Sequence, residues 1–130
     1  MCRKVAETPD GGKIEMWGDG EQTRSFLYVD ECVEATIRLM RSDWTGPVNI
    51  GSDEMVSINQ LARMIMDISG KNVNIKHIPG PLGVRGRNSD NRLYEEKLGW
   101  RVSQSLIDGL KKTYPWVLNQ VETHGKDIGK

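Results

Sequence analysis

Trp17-Gly-Asp-Gly-Glu-Gln-Thr-Arg-Ser-Phe26 is the stretch on which the reading of this chain turns. Just before it, Lys13 to Trp17 alternates polar and apolar residues, the pattern of a short half-buried strand. Gly18-Asp19-Gly20 supplies the backbone freedom of a tight turn. Ser25 to Val29 reads as a second short extended piece. Asp30 to Met40 reads as a helix, with Val33, Ile37 and Met40 at helical spacing and Asp30 able to cap its start. The same stretch carries chemistry, because glycines let backbone approach a ligand and an amide, a hydroxyl and a guanidinium follow them. Gln22, Thr23 and Arg24 together can hold an anionic, hydroxyl-rich ligand, since arginine pairs bidentately with phosphate. A hairpin with a surface arginine is the plainer alternative.

Working outward, residues 1–7 continue a helix, and the TPDGG run at 8–12 makes a turn. Val48 to Ile50 reads as a short strand after Gly46-Pro47. Ser57 is a good N-cap for a helix to about Ser69, with Leu61, Ile65 and Ile68 inward and Gly70 as its stop. Val73 to Ile78 reads as a strand, Pro79 to Asn91 as a long loop, and Arg92 to Leu98 as a short helix. Ser103 or Ser105 opens the last helix, with Leu106, Leu110, Val117 and Val121 inward and Pro115 bending it or removing one hydrogen bond. The expected fold class is α/β with short mixed strands, one domain over residues 1–124, and a polar tail over 125–130 that frays.

The chain has 130 residues, 37% of them hydrophobic and 28% charged, which suits one soluble domain with a modest core. Eighteen basic residues balance eighteen acidic ones, so no overall field draws it to nucleic acid or an anionic membrane. Anion binding must come from a few placed side chains. No segment has signal-peptide or membrane-span character. Cys2 and Cys32 form no CxxC pair or Cys/His cluster of zinc spacing, and free thiols fit a cytoplasmic protein.

Pro79-Gly-Pro-Leu-Gly-Val-Arg-Gly-Arg-Asn-Ser-Asp90 is the second chemical stretch. Arg85 and Arg87 among glycines can wrap a diphosphate, or the segment is simply an exposed basic loop. Gly80, Gly83 and Gly86 imitate a dinucleotide fingerprint. A true one needs a helix that begins inside the glycine pattern, so that its N-terminus meets the pyrophosphate. Here Pro79 and Pro81 flank the first glycine, and the next helical stretch starts after Asp90. Nor is there a Tyr with a Lys four residues on, the arrangement that lowers a tyrosine's pKa for use as a base. Tyr28, Tyr94 and Tyr114 are followed at that spacing by Cys32, Leu98 and Leu118. His77 and His124 read as structural or solvent-exposed, and Cys32 as a small core residue.

The runs WGDGEQTRSFLYVDECVEATIRLM, PVNIGSDEMVSINQLA and HIPGPLGVRGRNSDNRLYEEKLGW, in this order, resemble the extended short-chain dehydrogenase/reductase family that acts on nucleotide sugars. The finer wording of GSDEMVSIN and IPGP-x-GVRGRNSDN is similar to its GDP-mannose-epimerising branch. The resemblance implies a small mixed α/β substrate-binding domain of such a protein, with the family's Rossmann core outside this sequence. NAD is then the cofactor of the complete enzyme, with none expected on this chain. By position, Lys4, Gln22, Thr23, Arg24 and Arg87 match residues that contact a GDP-mannose-type nucleotide sugar, with Arg85 in support. The family's Tyr/Lys pair and Cys/Lys acid-base pair map to no residue here, so no catalytic residue and no metal site are assigned. The implied partners are the nucleotide sugar and either a separately encoded Rossmann half or a second copy. A stand-alone binding module, or the same portion of a UDP-glucuronate decarboxylase or 4-epimerase, are the alternatives. If Arg24 and Arg87 share a diphosphate, they must meet in space although they lie far apart in sequence.

Overall fold

The computed structural model describes residues 1–81 and 83–125. The alternating run does form a strand, β1 (Lys13–Trp17), with Ile14 and Met16 buried and the residues between them exposed. It pairs in parallel with β4 (Asn74–Ile78), Lys13 opposite Asn74 and Trp17 opposite Ile78. A second small sheet places β2 (Thr23–Ser25) between β3 (Met55–Ser57), which runs antiparallel to it, and β5 (Gly86–Arg87), which runs parallel.

Three helices close the main core. α1 (Cys2–Glu7) buries Val5 and Ala6 and packs on α3 (Ile58–Ser69) and α5 (Leu106–His124). α3 begins with a reciprocal capping box: the Gln60 N–H donates to Ser57 Oγ at 3.1 Å, and the Ser57 N–H donates to Gln60 Oε1 at 2.7 Å. It stops at Gly70 in the left-handed region, as a helix stop requires. Its inner residues Leu61, Ala62, Ile65 and Met66 meet Ile14, Met16, Val56, Leu106, Leu110 and Tyr114. Burying each large aliphatic side chain contributes about 1.5–3 kcal/mol. Lys71 ties the end of α3 to α1: its Nζ donates to the carbonyls of Val5 (3.1 Å), Ala6 (2.8 Å) and Thr8 (2.8 Å). A cation there also opposes the negative end of the helix dipole.

A smaller cluster sits around α2 (Val29–Met40) and α4 (Arg92–Leu98). Tyr94 is buried, donates its hydroxyl to Ala35 O at 2.8 Å, and meets the Trp100 ring edge-on at 5.9 Å. Glu31 secures the far end, its Oε1 accepting from the Ser103 N–H and hydroxyl and from the Gln104 N–H.

Several sequence expectations need correction. The extended piece is Thr23–Ser25 rather than 25–29, because ladder bonds to β3 and β5 fall on those residues. α2 starts at Val29 after an N-cap Tyr28 that makes no side-chain cap bond; Asp30 lies in its first turn instead. Cys32 is exposed rather than a core residue. Val48 to Ile50 forms no strand, since no neighbouring strand supplies a ladder to it. The glycine-rich loop contains β5, which local sequence did not reveal. Of the last helix's two possible caps it is Ser105 that accepts from the Asp108 N–H, and the helix continues through Pro115. The expected polar tail lies, from residue 126 on, outside the described residues.

Candidate functional site

The second sheet builds the site. β2 and β5 run side by side with Thr23 opposite Gly86 and Arg24 opposite Arg87. Residues in register on adjacent strands project from the same face, with backbones about 4.8 Å apart. The two arginines therefore stand together, although 63 positions separate Arg24 from Arg87 in the chain. Local chemistry explains the approach. The Thr23 N–H donates to Arg85 O at 2.9 Å, and a Cβ on Gly86 would lie 3.0 Å from Thr23 Oγ1, so glycine lets the strands close beside that hydroxyl.

Arg24 donates from Nη1 to Thr23 O at 2.6 Å and from Nη2 to Val84 O at 2.8 Å. Its fork thus clips the Arg87 segment to β2. Arg87 is exposed and has no hydrogen-bond or ion-pair partner among the described residues. Neither arginine has a carboxylate partner among those residues, so two adjacent strands carry uncompensated cations at one register position. Like charges directly opposite on neighbouring strands are destabilising, and an anion between them relieves that cost.

Arg85 takes a different part. Its Nη1 reaches Asp19 Oδ2 at 2.9 Å and Oδ1 at 3.1 Å, joining the glycine loop to the Gly18–Gly20 turn. The Asp19 carboxyl is held below its ordinary value, first by the Glu21 N–H that donates to it and then by the Arg85 guanidinium. Gln22 places its backbone oxygen on the Ile58 N–H, while its Oε1 is buried with no hydrogen-bond partner among the described residues. Lys4 is held at the other sheet, its Nζ donating to Glu15 O of β1 at 2.7 Å. The structure thus brings Thr23, Arg24 and Arg87 to one small sheet, with Gln22 just before β2, and does not show Lys4 on it.

Asn59 is a residue that sequence reasoning passed over. It is buried, its N–H donates to Gly20 O, and its Nδ2 donates to Asp19 O at 2.9 Å and Glu21 Oε1 at 2.6 Å. A Cβ on Gly20 would collide with its side-chain oxygen, so Gly20 and Asn59 fit as a pair and set the turn ahead of Gln22. The visible signal was the cap at Ser57; that the capped helix grips the turn some forty residues earlier was not visible. His77 is exposed and bonds through Nδ1 to Gly18 O at 2.8 Å, a structural contact.

The glycine pattern 80–86 leads into β5, and the next helix in the chain begins at Arg92, so no helix starts inside the pattern among the described residues. The described residues of this loop do not fit a dinucleotide pyrophosphate.

Residues 1–51 match the NAD dependent epimerase/dehydratase family. The GDP-mannose 3,5-epimerase of Arabidopsis thaliana is 56% identical over 131 aligned residues, covering 98% of this chain and 34% of the plant enzyme. The chain thus spans about a third of the length of the curated relatives it matches. A UDP-glucose 4-epimerase from Thermotoga maritima, solved with UDP-glucose, superposes with a TM-score of 0.83 at 30% identity, over 92% of this chain and 38% of that one. A UDP-glucuronic acid 4-epimerase from Bacillus cereus, solved with a UDP-sugar analogue and NAD, superposes with a TM-score of 0.80 at 27% identity, over 90% of this chain and 38% of that one. By sequence and by fold, this chain belongs to the NAD-dependent epimerase/dehydratase family and is homologous to the GDP-mannose 3,5-epimerases.

Proposed function

We propose that residues 1–124 form the nucleotide-sugar-binding portion of an NAD-dependent GDP-mannose 3,5-epimerase. The diphosphate lies on the Arg24–Arg87 face, with Gln22, two residues before Arg24, on the same side; Thr23 offers its hydroxyl from the edge beside Gly86, and Lys4 contacts the nucleotide sugar once released from Glu15 O. One observation carries this reading: two arginines in register on adjacent strands, neither with a carboxylate partner among the described residues. A dianion neutralises such a pair.

NAD serves the complete enzyme by oxidising the sugar transiently. The residues of this chain bind and orient the nucleotide sugar, and the 130-residue chain alone turns nothing over. The test is a titration of the isotopically labelled chain with GDP-mannose, followed by NMR. Saturable shifts centred on 22–24 and 84–87, with millimolar affinity because the chain supplies one wall of a cleft, support the reading. Shifts confined to other surfaces defeat it. Because solved neighbours hold UDP sugars, UDP-glucose and UDP-glucuronate are titrated in parallel. Tighter binding of either moves the assignment to a 4-epimerase or a decarboxylase.

A further inference from the structure

The segment that runs from β3 into α3 holds the whole approach to the candidate site. β3 pairs with β2, Thr23 opposite Ser57 and Ser25 opposite Met55, and the chain then passes directly into α3. The first N–H groups of a helix have no partner inside it. Here they are used on the segment ahead of β2. The Ile58 N–H donates to Gln22 O at 3.2 Å and the Asn59 N–H to Gly20 O at 3.0 Å, while the Gln60 N–H is taken by the Ser57 cap.

The Asn59 side chain completes this grip. It is 9% exposed, and its Nδ2 donates to Asp19 O at 2.9 Å and to Glu21 Oε1 at 2.6 Å. One buried residue therefore holds positions 19, 20 and 21 at once, and Gly20, at a φ of 72°, leaves no room for a Cβ beside it. The turn has two other anchors, His77 on Gly18 O and Arg85 on the Asp19 carboxylate. Both lie at exposed positions, where such contacts contribute least. The Asn59 bonds are shielded, and the one to Glu21 is charge-assisted, so their loss costs more.

We propose that Asn59 is a positioning residue for the nucleotide-sugar site, acting through the Gly18–Glu21 turn to fix where Gln22, Thr23 and Arg24 emerge. It touches no ligand; it sets the backbone from which those three side chains reach. The ligand's identity rests on the proposed function, whereas the hold on the turn does not. The Asn59–Glu21 bond also has a direction, amide to carboxylate, and that direction separates positioning from mere packing.

The test uses the 130-residue chain with Asn59→Ala, Asn59→Asp, Asn59→Asp combined with Glu21→Gln, and Ile65→Val as a control for general loss of core stability. Two quantities are read: GDP-mannose affinity by NMR titration, and amide-exchange protection at Ile58 and Thr23 relative to Leu110. The Ile58 and Thr23 N–H groups bond Gln22 O and Arg85 O, so they report the turn and the strand that follows it. Asn59→Ala and Asn59→Asp should each weaken binding about two- to tenfold, the worth of one hydrogen bond, with a matching fall in relative protection. Ile65→Val should change neither. Asn59→Asp alone sets two carboxylates face to face; adding Glu21→Gln restores a donor and an acceptor with reversed polarity and should recover part of both quantities. Glu21→Ala, at an exposed position, removes the same bond without touching the core and decides the matter if the Asn59 variants do not fold. Unchanged affinity, a loss no larger than that of Ile65→Val, or no recovery in the combined variant overturns the proposal. If the native chain binds no GDP-mannose, the proposed function falls, and the protection measurements alone decide whether Asn59 holds the turn.

Discussion

Arg87 carries a charge that no acceptor among the described residues engages, whereas Arg24 holds two carbonyls. Arg87→Ala should therefore weaken GDP-mannose binding with little effect on stability. A well-made charged hydrogen bond contributes about 1.5–3 kcal/mol, so the loss should be roughly 10- to 150-fold. Arg87→Lys should recover only part of it, because the planar fork is lost. Calorimetry or NMR titration decides; a Lys variant as good as the native chain would mean that a point charge suffices. Asp19 gives a second residue-level prediction. Its carboxyl is depressed in the folded state, so the Asp19–Arg85 link is present above the ordinary aspartate value and lost as pH falls through the depressed one. As pH falls below the ordinary aspartate value, protection against amide exchange at Thr23 and Gly86 should drop more than protection at Ile65. Asp19→Asn at neutral pH should reproduce the loosening as faster tryptic cleavage after Arg85 and Arg87. Unchanged cleavage would show that the strand pairing alone holds the loop.

Among the elements, α1 is too short to be stable alone, and its position depends on others. Lys71 places one ammonium on three of its carbonyls. Lys71→Met keeps most of the apolar stem and removes the donors; the expected cost is about 1.5–3 kcal/mol in urea unfolding. A cost near zero would mean that solvent satisfies those carbonyls equally well. α5 offers the opposite sign. Pro115 lies inside the helix and is exposed, and it cannot donate to the preceding turn. Pro115→Ala should raise Tm, since proline in a helix interior costs up to about 3 kcal/mol relative to alanine. A lower Tm would reveal that the helix depends on the proline for its path.

For the molecule as a whole, that no helix starts within the described residues of the 80–86 glycine run bears on cofactor binding. Equilibrium dialysis of the 130-residue chain against millimolar NAD should show no saturable binding. Micromolar affinity would mean that the glycine loop reorganises around the dinucleotide. No helix among the described residues is long and apolar enough to cross a membrane. Val29, Val33 and Met40 of α2 are exposed apolar side chains; replacing Val33 with Asp should raise the chain's solubility without loss of nucleotide-sugar binding, read by the concentration at which light scattering sets in.

By itself the sequence determined the local features. The period-two run at 13–17, the Ser57 cap with Gly70 as stop, and the inner face of α3 are written in neighbouring residues, because pleat, capping and helical spacing are short-range physics. The candidate residues Gln22, Thr23, Arg24 and Arg87 were picked out by local chemistry, an amide, a hydroxyl and guanidinium groups among glycines, together with the family wording. Only the tertiary structure decided how these pieces meet. The pairing of Arg24 with Arg87 is a non-local ladder, and nothing near Gly86 signals that residues 86–87 will be a strand until β2 is beside them. Asn59 gripping the turn at 18–20 is non-local in the same way. Val48 to Ile50 has strand chemistry and is not a strand, because a strand is a property of two segments and its neighbour is absent from the described sheets. The direction of α2's apolar face was equally out of reach: helical spacing says that a face exists, and only packing says whether it turns to the core or to water.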